Sequence, residues 1–416
     1  MNENDFDTGG GGGKRDTITI HPAQDKRFFA DGKIEAYCGP QEVGAPDDLE
    51  GVIINFINDA QKTLRIAVQE LDSMAIAQAI IDAKWRGVSV QMFLEQDYLL
   101  AARAGLKERL GADYDAEEDR LKRQWQEYAN NAHAMNREIF AALLRNGIDV
   151  KADYNPSIFH QKFIIRDYTT SNKIPPPAVL TGSTNFTVTG THKNLNHIVI
   201  FHDKSIAYQY NQEFNQIRRG VFGQGENTRN STKPRTYNVG GVPVRILFSP
   251  DNIPELELVK QMLKATRRID FAIFTFSGSS AIDDAMVMVN RAGVKIRGAL
   301  EAKQANQKWS AREWLQRGGI DFYYPDEDDE VFEGKLGKLH HKLMVIDSDV
   351  VVGGSMNYTG PANDFNDENI FVIGSPYNLD AGEGGPVNHT HTARIANFFR
   401  TEINRIIEHS HRQNKD

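Results

Sequence analysis

Cysteine is nearly missing from this chain. One residue, Cys38, serves 416 positions, so neither an internal disulfide nor a cysteine-paired zinc site can form. The scarcity fits a reducing compartment, and a cytoplasmic location is the expectation. Long apolar runs are missing as well. No stretch of about 18 apolar residues occurs, which excludes a membrane-spanning helix. The opening stretch, "MNENDFDTGGGGGKRDTITI", lacks the apolar segment of a secretory signal and is glycine-rich, so residues 1–33 read as a flexible tail. Positive charge is not in surplus. The net charge is −8, which argues against a basic coat for nucleic acid but leaves a local basic cleft open. With 40% hydrophobic and 25% charged residues, the chain has the make-up of a soluble globular protein.

What the sequence does hold is a repeat. "FHQKFIIRD" places His160, Lys162 and Asp167 in one short stretch, and "LHHKLMVID" places His340, Lys342 and Asp347 at the same spacing. Downstream, "TGSTNFTVTGTHKNLNHIVIF" answers "GGSMNYTGPANDFNDENIFVI". Each contains Gly-Ser-x-Asn, giving the pairs Ser183 and Ser355, Asn185 and Asn357. Upstream, "AKWRGVSVQMFLE" resembles "VNRAGVKIRGALE", and its last residues pair Glu95 with Glu301. Strand-like and helix-like stretches alternate in both halves, which predicts an α/β fold. We expect two pseudo-twofold-related halves, each a mixed, largely parallel sheet flanked by helices. The first spans 34–220 and the second 244–412, with a Gly-, Asn- and Pro-rich linker at 221–243. An insert at 97–135, rich in helix formers, is unique to the first half.

On a strand, residues i and i+2 share a face, so each histidine points the same way as its lysine. One His-x-Lys is a weak signal, readable as the wet face of an ordinary strand. Two copies, each with the same downstream serine and asparagine, point to a shared function.

This double motif resembles the phospholipase D superfamily, with its two His-Lys-Asp motifs, and the resemblance covers nearly all of the chain after the tail. It implies one active site at the seam between the halves, where both motifs face a single phosphodiester. Lys162, Lys342, Asn185 and Asn357 would hold the phosphoryl oxygens, with Ser183 and Ser355 as further substrate contacts. One neutral histidine would attack phosphorus and the other would protonate the leaving oxygen. The lysines would do a metal's electrostatic work, so no metal or cofactor is expected. Asp167 and Asp347 would brace the strand ends.

The halves differ at one telling place. "NDEN" puts Glu368 eleven residues after Asn357, whereas "NLNH" puts Asn196 at the matching position. In the family this position commonly holds a carboxylate bonded to the histidine's second nitrogen. A similar amide-and-carboxylate split occurs in the tyrosyl-DNA phosphodiesterase branch. Pairing each residue with the histidine of its own half backs His340 with Glu368 as the protonated acid, and His160 with Asn196 as the neutral nucleophile. His192 and His197 read as surface or loop histidines, the acidic run "PDEDDE" as a solvated loop, and Glu95 and Glu301 as either cleft or surface carboxylates. The second half, through "LFSPDN", "LEAKQANQKWS" and "LHHKLMVID", resembles the nuclease branch. The expectation is a nuclease acting on DNA or RNA, with no stable membrane association and no oligomer required. A phospholipase D acting on phosphatidyl lipids is the alternative.

Overall fold

The computed structural model describes residues 27–99, 134–169, 176–223, 234–375 and 386–412. Most of the expected tail, most of the helical insert and ten residues of the linker lie outside these described residues.

Two sheets carry the fold. The strands of the first are β1 (Phe28–Phe29), β2 (Ile34–Gly39), β3 (Thr63–Val68), β4 (Ser89–Leu94), β5 (Asp149–Ala152), β6 (Lys162–Arg166), β7 (Ala178–Gly182) and β8 (Asn194–Phe201), ordered β1-β2-β8-β7-β6-β3-β4-β5. The second half supplies β9 (Thr236–Val239), β10 (Val242–Ser249), β11 (Arg268–Ile273), β12 (Lys295–Leu300), β13 (Asp321–Pro325), β14 (Lys338–Leu339), β15 (Lys342–Ile346), β16 (Val350–Gly354), β17 (Glu368–Ile373) and β18 (Ser410–Arg412). Its sheet runs β18-β13-β12-β11-β15-β16-β17-β10-β9. The common part is the same in both: β2-β8-β7-β6-β3-β4-β5 matches β10-β17-β16-β15-β11-β12-β13.

The α/β architecture in two related halves is as the repeat predicts. The balance of strand directions is not. Only β3, β4 and β5 run parallel within the first sheet's matched part, and only β11, β12 and β13 within the second. The other matched pairings are antiparallel. Connection length explains this. Parallel neighbours need a helical crossover. Helices of 12 and 11 residues at Met74–Trp85 and Ala281–Arg291 provide one in each half. A three-residue turn between β15 and β16, and five-residue helices after β7 and β16, return the chain antiparallel. Two boundaries also move. Phe28–Phe29 pairs with β2 inside the stretch expected to be tail, and β9 lies inside the stretch expected to be linker.

The halves share one core. Phe163, Leu195, Val199 and Tyr210 of the first half pack in a single buried cluster with Val244, Leu343, Phe371 and Phe399 of the second. Separate clusters lie on the outer face of each sheet. Two reciprocal exchanges lock the seam. β14 adds to the first half's sheet beside β8, and Phe159 forms a bridge with Asp367. The stretch just before each motif histidine is thus held by the other half. No described helix is long and apolar enough to cross a membrane.

Candidate active site

Each motif histidine sits where its half crosses into the other. The His160 N–H donates to the Asp367 carbonyl at 2.9 Å, and the His340 N–H donates to the Leu195 carbonyl at 2.9 Å. Asp367 immediately precedes Glu368, and Leu195 immediately precedes Asn196. Those side chains therefore lie beneath the ring of the opposite half. His160 Nδ1 meets Glu368 Oε2 at 2.6 Å, and His340 Nδ1 meets Asn196 Oδ1 at 2.9 Å. This corrects the pairing expected from sequence. The carboxylate backs His160 and the amide backs His340, because partners are exchanged across the seam.

The surrounding bonds fix both tautomers. Asn196 donates its Nδ2 to the Gly190 carbonyl at 2.8 Å and accepts from the Ser183 hydroxyl at 2.7 Å. Its Oδ1 is thus the acceptor for His340 Nδ1–H. Glu368 Oε2 accepts from the Ser355 hydroxyl at 2.6 Å beside His160 Nδ1–H. In both rings Nε2 is the atom left for chemistry.

Ser183 and Ser355 are therefore not placed to hold substrate, as the sequence reading had them. Both are fully buried and spend their hydroxyls on the residue behind a histidine. The glycine before each serine makes this possible. At Gly182 and Gly354, φ is 153° and 140°, and a Cβ would lie 2.1 and 2.3 Å from the carbonyl oxygens of His197 and Asn369. Only glycine lets the chain approach closely enough for the Ser183 and Ser355 N–H groups to reach those carbonyls.

Lys162 and Lys342 are buried, each 1% exposed. Each ammonium donates to the carbonyl of its own motif histidine at 2.9 Å. Their other neighbours differ. Lys162 also donates to Gln69 Oε1 at 3.1 Å, whereas Lys342 lies 4.9 Å from the centroid of the Phe274 ring. Asn185 and Asn357 are half-buried, and their Oδ1 atoms have no hydrogen-bond partner among the described residues.

Burial, then the ammonium groups of Lys162 and Lys342, hold His160 well below the usual imidazole range. Burial and the same two ammonium groups lower His340, with smaller contributions from Lys338 and from His160 itself. Burial lowers Lys162 to about 7, against the pull of Glu368. It also lowers Lys342, with Lys162 adding to the effect. Glu368 is raised to about 8 by burial, against the pull of Lys162 and Ser355. The site is thus a desolvated group of cations and imidazoles that act on one another across the seam. An anion carrying oxygen acceptors is the ligand that such a group stabilises.

The remaining candidates fall into place around this centre. Asp167 and Asp347 take positive φ values of 55° and 46° and turn back on the strands beside them. Asp167 accepts from the N–H groups of Gln61, Lys62 and Thr63, and Asp347 from those of Thr266, Arg267 and Arg268. Glu95 and Glu301 are buried rather than on the surface. They accept from the N–H groups of Phe159 and Leu339, the residues just before the motif histidines, at 2.6 and 2.8 Å. His192 is a half-exposed histidine held by Glu42 and Glu50. In the acidic run, Asp326 and Asp329 pair with His411 and His409. No cluster of metal-ligating side chains occurs among the described residues.

His197 is no surface histidine. It is fully buried and stacks on His341 with an interplanar angle of 7°, Nδ1 to Nδ1 at 3.1 Å. The matched positions in the repeat are Asn369 and Gln161, whose amides bond at 2.7 Å. The sequence reading missed both pairs. The signal lay in the repeat: the first copy has Gln161 after its motif histidine and His197 after Asn196, the second has His341 and Asn369, so histidine faces histidine and amide faces amide only when the halves exchange partners.

The family model described as "Cardiolipin synthase, PLD-like domain" matches residues 53–218 and 258–382, more than half of the chain. The mitochondrial cardiolipin hydrolase of Mus musculus is 27% identical over 138 residues, 32% of this chain and 58% of that protein. A phospholipase D of Rickettsia conorii is 32% identical over 140 residues, 33% of this chain and 66% of that protein. The chain spans less than two thirds of the length of either relative. The crystal structure of phosphatidylserine synthase from Haemophilus influenzae Rd KW20 shares the fold, with a TM-score of 0.57 at 11% identity over 92% of this chain and 87% of that one. Both matched segments carry a motif strand, the two strands meet at one seam, and the chain belongs to the phospholipase D superfamily of phosphodiesterases.

Proposed function

We propose that this protein hydrolyses nucleic-acid phosphodiesters without a metal, through a phosphohistidine on His160. The observation that carries the reading is the exchange across the seam. Two imidazoles present Nε2 beside two buried lysines, but one is backed by a carboxylate and the other by an amide. In the first step His160 Nε2 bonds to phosphorus while the bond to the leaving oxygen breaks, and His340 gives that oxygen its Nε2 proton. The phosphorylated ring is cationic and keeps Nδ1–H, so Glu368 stabilises it directly. The amide at His340 stabilises imidazolium less than a carboxylate does, which leaves His340 the stronger acid. In the second step water attacks phosphorus, His340 takes its proton, and the phosphorus–nitrogen bond breaks. Lys162, Lys342, Asn185 and Asn357 hold the phosphoryl oxygens throughout. His160 stays the nucleophile, but for the reverse of the reason its sequence suggests.

Support for nucleic acid comes from the resemblance of the second half to nucleases and from Lys338, whose ammonium lies 5.2 Å from the centroid of Phe274, the ring beside His340. A phospholipid reading is favoured by exposed Tyr154, Ile158 and Phe365, 77%, 45% and 45% exposed, which lie by the His160 side of the seam. The names of the curated relatives favour it too. Purified protein in excess EDTA, given labelled single-stranded DNA, RNA and cardiolipin or phosphatidylcholine vesicles, separates these. Cleavage of nucleic acid in chelator supports the proposal. Activity restored only by magnesium defeats the metal-free mechanism, and lipid turnover without nucleic-acid cleavage moves the substrate to phospholipid.

A further inference from the structure

The two halves differ at the mouth of the site in a way the reaction itself does not require. Two residues before His340 stands Lys338, and the matched residue before His160 is Ile158, 45% exposed. At the end of the neighbouring strand the second half has Phe274 where the first has Gln69. Phe274 lies 4.8 Å from the His340 ring, centroid to centroid, and the Lys338 ammonium lies 5.2 Å from the Phe274 centroid. Lys342 is held over the same ring. One aromatic side chain thus positions two ammonium groups without neutralising either.

The Lys338 ammonium makes no hydrogen bond or ion pair with another described residue, although the residue is half-buried on β14. Its place over Phe274, the ring beside His340, turns it toward the catalytic groups, and its charge is felt at His160, Lys162, His340 and Lys342 as well as at Glu70 and Glu301. Its position is also fixed. β14 is clamped to β8 at Lys338–Asn194, and Glu301 holds the next N–H. A fixed cation that forms no ion pair, with the Glu70 and Glu301 carboxylates only within reach of its charge, matches a polyanion whose charges recur along a strand. A substrate with a single phosphodiester brings no second phosphate to it.

We infer that Lys338, held over Phe274, is the subsite for the phosphate adjacent to the scissile one, on the leaving-group side where His340 acts. The inference rests on the nuclease reading and adds a direction to it: substrate must extend past His340, not only past His160.

The test compares two substrates in the full chain: a single-stranded oligonucleotide, and bis(p-nitrophenyl) phosphate, which has one phosphate. Lys338→Ala removes charge felt at the catalytic groups, so some loss common to both substrates is expected. The expected signature is a further loss of about five- to tenfold in kcat/KM confined to the oligonucleotide, carried mainly by KM. The slope of log kcat/KM against log salt should flatten by about 0.7, the value for one phosphate contact on a single strand. Lys338→Arg should restore most of the oligonucleotide activity. Equal losses on both substrates, or an unchanged salt slope, overturn the subsite. Wild-type protein that hydrolyses the small diester but no oligonucleotide overturns the nuclease reading and this inference with it. Wild-type cleavage of the oligonucleotide with no selective loss in Lys338→Ala overturns the inference alone.

Discussion

Glu368→Gln keeps nearly the same shape and removes one charge from behind His160. In the intact site Glu368 Oε2 accepts from both His160 Nδ1 and the Ser355 hydroxyl. A glutamine oxygen in that place could accept both bonds, but its amide would then face the Asn366 amide that lies near Glu368 Oε1. The opposite amide orientation would present N–H to His160 Nδ1 and move the ring proton to Nε2, which blocks attack. The first orientation costs the difference between a charged and a neutral hydrogen bond to the phosphorylated ring, about 1 to 2 kcal/mol, or roughly five- to thirtyfold. The second gives a tautomer loss of up to about 10⁴-fold, the size known when the same kind of swap is made in a serine protease triad. Single-turnover kinetics with two leaving groups identify the histidine affected. A p-nitrophenolate leaving group needs no acid, and an alkoxide does. Glu368→Gln should slow formation of the covalent intermediate by at least about fivefold with both, because it acts on the nucleophile. Asn196→Ala should slow the alkyl diester much more than the nitrophenyl diester, because it acts on the acid. The reverse pattern would refute the exchange of partners as the determinant of role.

The pH profile of kcat/KM should be a bell displaced to the acid side of neutrality. Attack needs His160 neutral and departure needs His340 protonated, and burial with the two ammonium groups holds both rings low, so the two limbs belong to the coupled pair. Lys162 joins the falling limb near pH 7. A rate that keeps climbing above pH 8 would contradict this. Asp347→Ala should lower the melting temperature without changing kcat, because three backbone N–H groups lose their acceptor, at a cost of about 1 to 3 kcal/mol in total. Those hydrogen bonds depress the Asp347 pKa, so its contribution is fully present above the unfolded carboxyl range near 3.9 and is lost as pH falls through the folded value. Wild type and variant should converge in stability at low pH, and a constant gap across pH would count against that account.

The sequence showed the reactive groups plainly, since His-x-Lys and Gly-Ser-x-Asn recur at fixed spacing. It did not show who stands behind whom. Asn196 and Glu368 read naturally as partners of the nearest motif, and the exchange depends on contacts such as Phe159 with Asp367 that span some 208 positions. Nothing local encodes those contacts. The twofold plan does imply them, because a strand that completes the other half's sheet must bring its neighbours along. Ser183 and Ser355 were misread for a related reason: a hydroxyl in a repeated turn is equally suited to substrate or to a buried side chain, and only burial decides. The excess of parallel strands in the expectation came from extending the strand–helix alternation upstream of the motifs to the whole sheet, when the helices after β7 and β16 are only five residues long.

The central claim is a covalent phosphorus bond to His160, formed without metal and resolved by His340. It is tested most directly by quenching the His340→Ala variant during turnover of bis(p-nitrophenyl) phosphate in EDTA and mapping the adduct by peptide mass spectrometry. The good leaving group lets the first step proceed without its acid, while loss of the base stalls the second. The account predicts a nitrophenyl-phosphoryl group accumulating on the peptide that contains His160, and none in the variant that also carries His160→Ala. Turnover by His340→Ala with no covalent adduct, or an adduct that persists when His160 is removed, would contradict it.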